Sequence, residues 1–76
     1  MTGLIKRSFS LAGHRTSVAL EAAFWAALAE VSQVRGQNLS ALVAAIDAER
    51  SPGQPLASAL RLTALAASQA TRDRPA

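Results

Sequence analysis

The sequence predicts a mainly α-helical domain that begins with a short β segment and is completed by a second copy of the same chain. Residues 5–20 alternate apolar and polar side chains with a period of two, whereas the residues from Ala22 onward follow a helical period. Half of the 76 residues are apolar and only 17% are charged, which is a rich apolar content for so small a monomer. The chain has no cysteine, so disulfides cannot stabilise it and a core shared with a second chain is favoured.

The β segment contains two alternating runs that are out of phase. Apolar residues are odd-numbered in the first run, 5–11, where Arg7 is the exception, and even-numbered in the second run, 15–20. Gly13 lies at the changeover, where glycine allows either a bulge or a reversal of the chain. A bent continuous strand and a small hairpin both satisfy this pattern.

The first helix is predicted from Ala22, with Phe24, Leu28 and Val31 on one face. Arg35 in the last turn and Gly36 directly after it are a typical stop signal.

Asn38 is expected to cap a second helix that runs from Leu39 to about Arg50. The segment 51–55 contains two prolines and a glycine and ends that helix. A third helix is predicted from Leu56 to about Gln69, and the end of the chain is expected to be frayed.

A six-residue strand needs a partner for its backbone groups, and the same strand of a second chain supplies one. The expected organisation is a basic arm or extra strand over 1–14, the main domain over 15–50, a breaker and C-terminal helix over 51–70, and a disordered tail over 71–76. The core expected to be shared between two chains consists of Val18, Leu20, Phe24, Trp25, Leu28, Val31, Leu42, Val43 and Ile46. Phe24 and Trp25 are assigned to this core rather than to a platform for stacking bases.

The segment from Arg15 to Arg50 resembles the ribbon-helix-helix family, the fold of the Arc and methionine repressors. It is most similar to a branch of short bacterial ribbon-helix-helix proteins, and this resemblance covers most of residues 6–65. Each motif is short, but their order and spacing together are fairly specific. The matching motifs are Lys6–Ser8, Gly13–Glu21, Phe24-Trp25, Arg35–Ser40, Ile46-Asp47 and Ser58–Arg61.

The resemblance implies an intertwined dimer with an antiparallel β-ribbon formed between two chains and inserted in the major groove of DNA. By position, the residues that meet base edges would be Arg15, Ser17 and Ala19, and backbone amides near Asn38 and Ser40 would meet a phosphate. Ala19 departs from the larger polar residue that many family members carry, which favours some readout of DNA shape.

The charge distribution also points to a polyanionic partner. The net charge is +3, and residues 1–20 contain Lys6, Arg7 and Arg15 but no acid. Lys6 and Arg7 are candidate phosphate contacts, and the alternative is a solubilising arm. His14 is either a turn residue with local hydrogen bonds or a further contact to DNA.

Other classes of function are not expected. The sequence has no glycine-rich phosphate loop, no nucleophile motif and no spacing of ligands for a metal, so we expect neither an enzyme nor a cofactor. No segment approaches the roughly 20 apolar residues that span a bilayer, and no apolar signal follows the basic N-terminus, so a cytoplasmic location is expected.

The sequence therefore predicts a dimeric transcriptional regulator, and specifically a repressor, that binds double-stranded DNA sequence-specifically. The alternative is a protein-interaction module of the same fold, antitoxin-like or an assembly adaptor, that uses the C-terminal helix. A peripheral membrane protein is a third and weaker interpretation. The third helix can pack onto its own dimer, join dimers into tetramers, or hold another protein.

Overall fold

The computed structural model describes the chain over residues 3–72, with side chains over 3–70. Two strands precede three helices: β1 Ile5–Leu11, β2 His14–Leu20, α1 Ala22–Val34, α2 Leu39–Glu49 and α3 Leu56–Arg72. The last helix extends three residues beyond the expected Gln69, and the rest of the expected disordered tail, 73–76, lies outside the described residues.

β1 and β2 form an antiparallel hairpin joined by Ala12 and Gly13. Both loop residues have positive φ angles, 51° and 82°, as a type I′ turn requires. The register pairs Ile5 with Leu20 and Leu11 with His14, so every odd-numbered residue of β1 faces an even-numbered residue of β2. This register explains why the two alternating runs are out of phase, and of the two alternatives left by the sequence it is the hairpin that forms.

The strand that pairs with β2 belongs to the same chain. Pairing of β2 with the same strand of a second chain stays a prediction, and it would use the other edge of β2. β1 supplies the ladder partner along one edge of β2, and the sheet has two strands within the described residues. A second chain is therefore not needed to satisfy the backbone groups along that edge.

Both predicted signals between α1 and α2 are confirmed. Gly36 has a φ angle of 70°, and its amide donates to the carbonyl of Gln33 while the amide of Gln37 donates to the carbonyl of Ser32. These two bonds are the Schellman pattern that closes a helix C-terminus. Asn38 then caps α2, because its Oδ1 accepts from the amide of Ala41 at 2.8 Å.

The breaker between α2 and α3 is a tight turn with Pro52 and Gly53 at its centre. The amide of Gln54 donates to the carbonyl of Ser51 at 3.0 Å, and Gly53 has a φ angle of 84°, which is the geometry of a type II turn. Arg50 ties this turn to α2, since its guanidinium contacts Asp47 Oδ1 at 2.8 Å and the carbonyl of Gln54 at 2.6 Å.

The core lies between one face of the hairpin and the three helices. Seven of the nine residues expected in a shared core are buried within this single chain, and the other two, Phe24 and Val31, pack partly buried against it. α3 packs back onto α1 and α2 of its own chain and contributes Ala59, Leu60 and Ala64. The remaining buried hydrophobics are Phe9, Leu11, Val18, Leu20, Trp25, Leu28, Leu42, Val43 and Ile46.

Between residues 3 and 72, no helix combines the length and the apolar character that crossing a membrane requires.

Candidate nucleic-acid interface

The hairpin has one face against the helices and one face away from them, which we call the outward face. Paired residues share a face in an antiparallel ladder, so the register fixes its membership. Its side chains are exposed except for Ala19, which is half-buried. The outward face consists of Lys6, Ser8 and Ser10 from β1 and of Arg15, Ser17 and Ala19 from β2.

Small hydroxyl side chains occupy the middle of the outward face and cations occupy its ends. Ser8 and Ser17 are directly opposite, with their Oγ atoms 3.0 Å apart. Lys6 pairs with Ala19 at one end and Arg15 pairs with Ser10 at the other. Four residue steps separate these two rows, so the backbone positions of the two cations lie about 14 Å apart along the ribbon. Because the side chains at the centre of the ribbon are short, its backbone can approach the surface of a ligand closely.

The positive charge of the outward face is uncompensated. The two ion pairs found in the described part of the chain lie elsewhere, between Arg50 and Asp47 and between Arg61 and Glu21. The hairpin itself carries no acidic residue. The face therefore presents a net positive field to any ligand.

Arg7 lies on the opposite side of the hairpin from Lys6. Its guanidinium lies 5.4 Å from the centroid of the Trp25 ring, in cation–π geometry. Trp25 is buried, its Nε1 donates to the carbonyl of Ile5 at 2.8 Å, and its ring lies 5.9 Å from that of Phe9. The predicted phosphate contacts Lys6 and Arg7 thus face in different directions, and Trp25 belongs to the core that supports the ribbon.

His14 also lies on the side of the ladder opposite Arg15, because it pairs with Leu11. It is exposed and stands next to the turn, at the tip of the hairpin.

The junction of β2 and α1 is fixed to α3 by a charged contact. Glu21 Oε1 accepts from Nε and Nη2 of Arg61 at 3.3 and 3.2 Å, and the same guanidinium lies 5.7 Å from the centroid of the Phe24 ring. The pKa of Glu21 lies below its ordinary value of 4.5, mainly because the carboxylate accepts a hydrogen bond from its own backbone amide. Desolvation opposes this effect and Arg61 adds to it. This contact holds the base of the hairpin in position.

The start of α2 offers a second candidate contact. Asn38 and Ser40 are exposed, and the described chain supplies no acceptor for the amides of Leu39 and Ser40, which belong to the first turn. Free amides at a helix N-terminus favour an anionic oxygen. Over residues 3–72 there is no group of three or more histidine, cysteine or acidic side chains that could hold a metal ion.

A family model described as ribbon-helix-helix domain matches residues 4–68 of the chain. The chain belongs to the ribbon-helix-helix domain family. No curated protein and no solved structure matches it significantly. Members of the family are generally DNA-binding regulators. The match includes β1 and most of α3, so both are part of the ribbon-helix-helix domain in this chain.

The resemblance named Arg15, Ser17 and Ala19 as candidates for base contact in this ribbon-helix-helix domain, and Ser8 and Ser10 were not among the candidates. The structure brings all five to the outward face. The alternation of 5–11 had already put both serines on the polar side of the first run. What the sequence did not reveal was that Ala12 and Gly13 form a two-residue loop. This loop places the polar sides of the two runs on the same face of the hairpin.

Proposed function

We propose that this ribbon-helix-helix protein is a DNA-binding transcriptional regulator that acts as a repressor, and that its hairpin enters the major groove with the outward face toward the bases. The observation that carries the proposal is a two-stranded ribbon whose outward face holds small polar side chains and two cations without any acid. Membership of a family of DNA-binding regulators supports it independently.

The dimensions of the ribbon support this placement. The major groove is about 12 Å wide and admits a two-stranded ribbon, whose strands lie about 4.8 Å apart. The separation of about 14 Å between the positions of Lys6 and Arg15 corresponds to roughly four base-pair steps of about 3.4 Å. One chain would therefore read about four base pairs. Two chains related by a twofold axis would read a palindromic operator.

The side chains divide between base contacts and phosphate contacts. Arg15 is assigned to a guanine, where a guanidinium meets O6 and N7 in a bidentate way, and Ser17 to a neighbouring base. Ala19 offers only a methyl group, which suits the methyl of a thymine. Lys6 is assigned to a phosphate, and the free amides at Ser40 to a phosphate beside the groove.

Arg7 and His14 lie on the other side of the ribbon. We therefore assign His14 to a phosphate near the tip of the hairpin. For Arg7 we assign the contact with the Trp25 ring as its main interaction and a contact with the DNA backbone as a secondary one.

Fluorescence anisotropy with duplex DNA tests the proposal. The duplex from upstream of the protein's own gene is compared with a scrambled duplex of equal composition, at low and moderate salt. If two chains bring only Lys6 of the outward cations to phosphate, the log–log salt slope should be about −1.8, whereas participation of Arg7 would steepen it to about −3.6. Absence of binding at low salt would refute the proposal.

Two alanine variants separate reading from anchoring. Arg15→Ala should weaken binding to the preferred duplex by about 1–3 kcal/mol and leave binding to the scrambled duplex much less affected. Lys6→Ala removes the same charge, and it should weaken both duplexes equally and reduce the salt slope by about 1 for each chain. Equal effects of the two variants on both duplexes would contradict the assignment of Arg15 to a base.

A second candidate function is a protein-interaction module. The observation that favours it is the outer side of α3, where Leu62 and Leu65 are 55% and 50% exposed. The anisotropy experiment separates the two candidates, because a pure interaction module has no reason to bind duplex DNA with a steep salt dependence.

A further inference from the structure

We propose that Ser10 is a phosphorylation site, and that a phosphoryl group on its hydroxyl binds the guanidinium of Arg15 and switches off DNA binding by the hairpin. The acceptor site follows from the hairpin alone, whereas the effect on DNA rests on the proposed function. The implied partners are a protein kinase, which transfers the phosphoryl group of a nucleoside triphosphate, and a phosphatase, which removes it.

The hydroxyl of Ser10 differs from the other two serine hydroxyls of the outward face. Ser8 and Ser17 bond each other at 3.0 Å, so both of their hydroxyls have a partner. The hydroxyl of Ser10 forms no hydrogen bond within the described residues, and its side chain is exposed. Ser10 lies in the second row from the loop, on a strand whose other edge is unpaired over residues 3–72. An enzyme can therefore reach a free hydroxyl on an extended segment near the tip of the hairpin.

The register of the hairpin places a cation directly opposite this hydroxyl. Ser10 pairs with Arg15, and the Cβ atoms of directly opposite residues in an antiparallel ladder lie about 5 Å apart. Arg15 is exposed and forms no ion pair or cation–π contact within the described residues. A phosphoserine presents three acceptor oxygens, to which a guanidinium donates two parallel hydrogen bonds. A phosphate on Ser10 would thus occupy the side chain that is assigned to a guanine.

The same modification removes the positive charge of the outward face. Lys6 and Arg15 give that face two cations, and the hairpin carries no acidic residue. A phosphoserine carries a charge of about −1.5 to −2, which offsets both cations. Binding to any DNA sequence should weaken, because the attraction to phosphate does not depend on the bases.

The charges that favour DNA also favour a kinase with an acidic substrate surface. Lys6 and Arg7 precede Ser10 on the same strand, and both are exposed. Their side chains lie on opposite sides of β1, so the segment presents a cation in two directions. Complementary charge of this kind accelerates encounter and fixes the register of a bound segment.

The transfer itself is ordinary phosphoryl chemistry. The Oγ of Ser10 attacks the γ-phosphorus, the bond from that phosphorus to the bridging oxygen breaks, and the nucleoside diphosphate leaves. The hydroxyl proton passes to a carboxylate base of the kinase. Hydrolysis by a phosphatase consumes one water and returns the Ser10 hydroxyl and inorganic phosphate.

Phosphorylation of the whole chain tests the site. The protein is incubated with a purified arginine-directed serine kinase, ATP and Mg²⁺, and the phosphate is detected by intact mass and located by fragmentation. A phosphoryl group should enter at Ser10; Ser8→Ala should accept it equally and Ser10→Ala should accept none. Protein isolated from its own cells with phosphatase inhibitors should carry the same phosphopeptide. Absence of phosphate at Ser10 from either preparation, or equal incorporation by Ser10→Ala, would overturn the site.

Phosphorus-31 NMR tests the contact with Arg15 without DNA. In the protein phosphorylated at Ser10, the guanidinium should lower the second pKa of the phosphate, because an adjacent cation favours the dianion. Arg15→Gln should raise that pKa. Lys6→Gln is the matched control, since it removes the same charge from the same face at a distant row, and it should change the pKa much less. Equal effects of the two variants, or no effect of either, would overturn the contact.

Fluorescence anisotropy measures the switch. The phosphorylated protein should bind the preferred and the scrambled duplex more weakly than the unmodified protein by on the order of a hundredfold. Phosphatase treatment should restore the affinity, which excludes an unfolded preparation as the cause. An affinity that phosphorylation leaves unchanged would overturn the switch and leave the proposed function standing. Unmodified protein that binds no duplex would refute the proposed function, and the kinase and NMR experiments would still decide the site.

Discussion

Ala12 is the residue of the hairpin whose backbone conformation fits its side chain least. Its φ angle is 51°, in the left-handed region, where an L-residue with a Cβ is less stable by about 1–2 kcal/mol. Replacing it by glycine removes that penalty but increases the conformational entropy of the unfolded chain, at a cost of about 0.5–1 kcal/mol. Because Ala12 is exposed, no packing is lost. Ala12→Gly should therefore stabilise the protein by about 0.5–1 kcal/mol.

Thermal unfolding followed by far-UV circular dichroism measures this effect. For a domain of this size, a stabilisation of about 0.5–1 kcal/mol corresponds to a rise of about 2–8 °C in Tm. The protein concentration must be the same for every variant, because association shifts Tm by mass action.

Ala44→Gly is the matched control. Ala44 is also exposed but lies inside α2, where the same chemical change should destabilise by about 0.5–1 kcal/mol. One substitution should thus have opposite signs at the two positions. A decrease in Tm for both variants would refute the left-handed turn, and with it the hairpin that defines the outward face.

Three further predictions concern the frame that supports the ribbon. Leu60→Ala should lower the free energy of unfolding by about 2–5 kcal/mol in urea denaturation, because Leu60 is completely buried where α3 meets the core, and a smaller loss would mean that α3 packs loosely. Asn38→Ala should cost about 0.5–2 kcal/mol through loss of the α2 cap, while Ser40→Ala next to it should change stability little; equal effects would contradict the capping bond. The folded-state pKa of Glu21 is lowered, so its contribution to stability is present above the ordinary value of 4.5 and is lost as the pH falls through the folded-state pKa. Glu21→Gln should accordingly flatten the acid side of the stability–pH curve, and an unchanged curve would show that neither the bond from its own amide nor the contact with Arg61 stabilises the Glu21 carboxylate in the folded state.

The helices and their ends were predictable from the sequence because the signals are local. Asn38 and Gly36 act through the backbone groups of their own turns, so short motifs were sufficient to place them. The choice between a hairpin and a bent strand was left open because the local signal of the turn was weak. A type I′ turn usually carries asparagine or aspartate before glycine, and here alanine stands in that place.

Arg7 shows why the site was only partly predictable. Alternation put it on the apolar side of the first run, which looked like an exception to the pattern. The ring of Trp25, distant in sequence, is what makes that side suitable for a guanidinium. The position of Arg7 over this ring therefore could not be predicted from the spacing of residues within 5–11.

The expected core residues were identified, but their assignment to two chains depended on what β1 and α3 do. β1 pairs with one edge of β2, and Leu60 of α3 completes the core from the same chain. Periodicity reports which side chains are buried, and it does not report which copy of the chain buries them.

The contact between Ser8 and Ser17 has a consequence for how such a ribbon distinguishes sequences. Each hydroxyl has one proton, and either hydroxyl can be the donor in this pair. The pair therefore has one O–H free to donate to a ligand, and reversing the internal bond changes which of the two strands carries that free donor. A base edge that donates and a base edge that accepts can both be accommodated by rotating two hydroxyls, without moving the backbone. Under the proposed function, the centre of the ribbon would tolerate different bases, and the rows at its two ends would distinguish them.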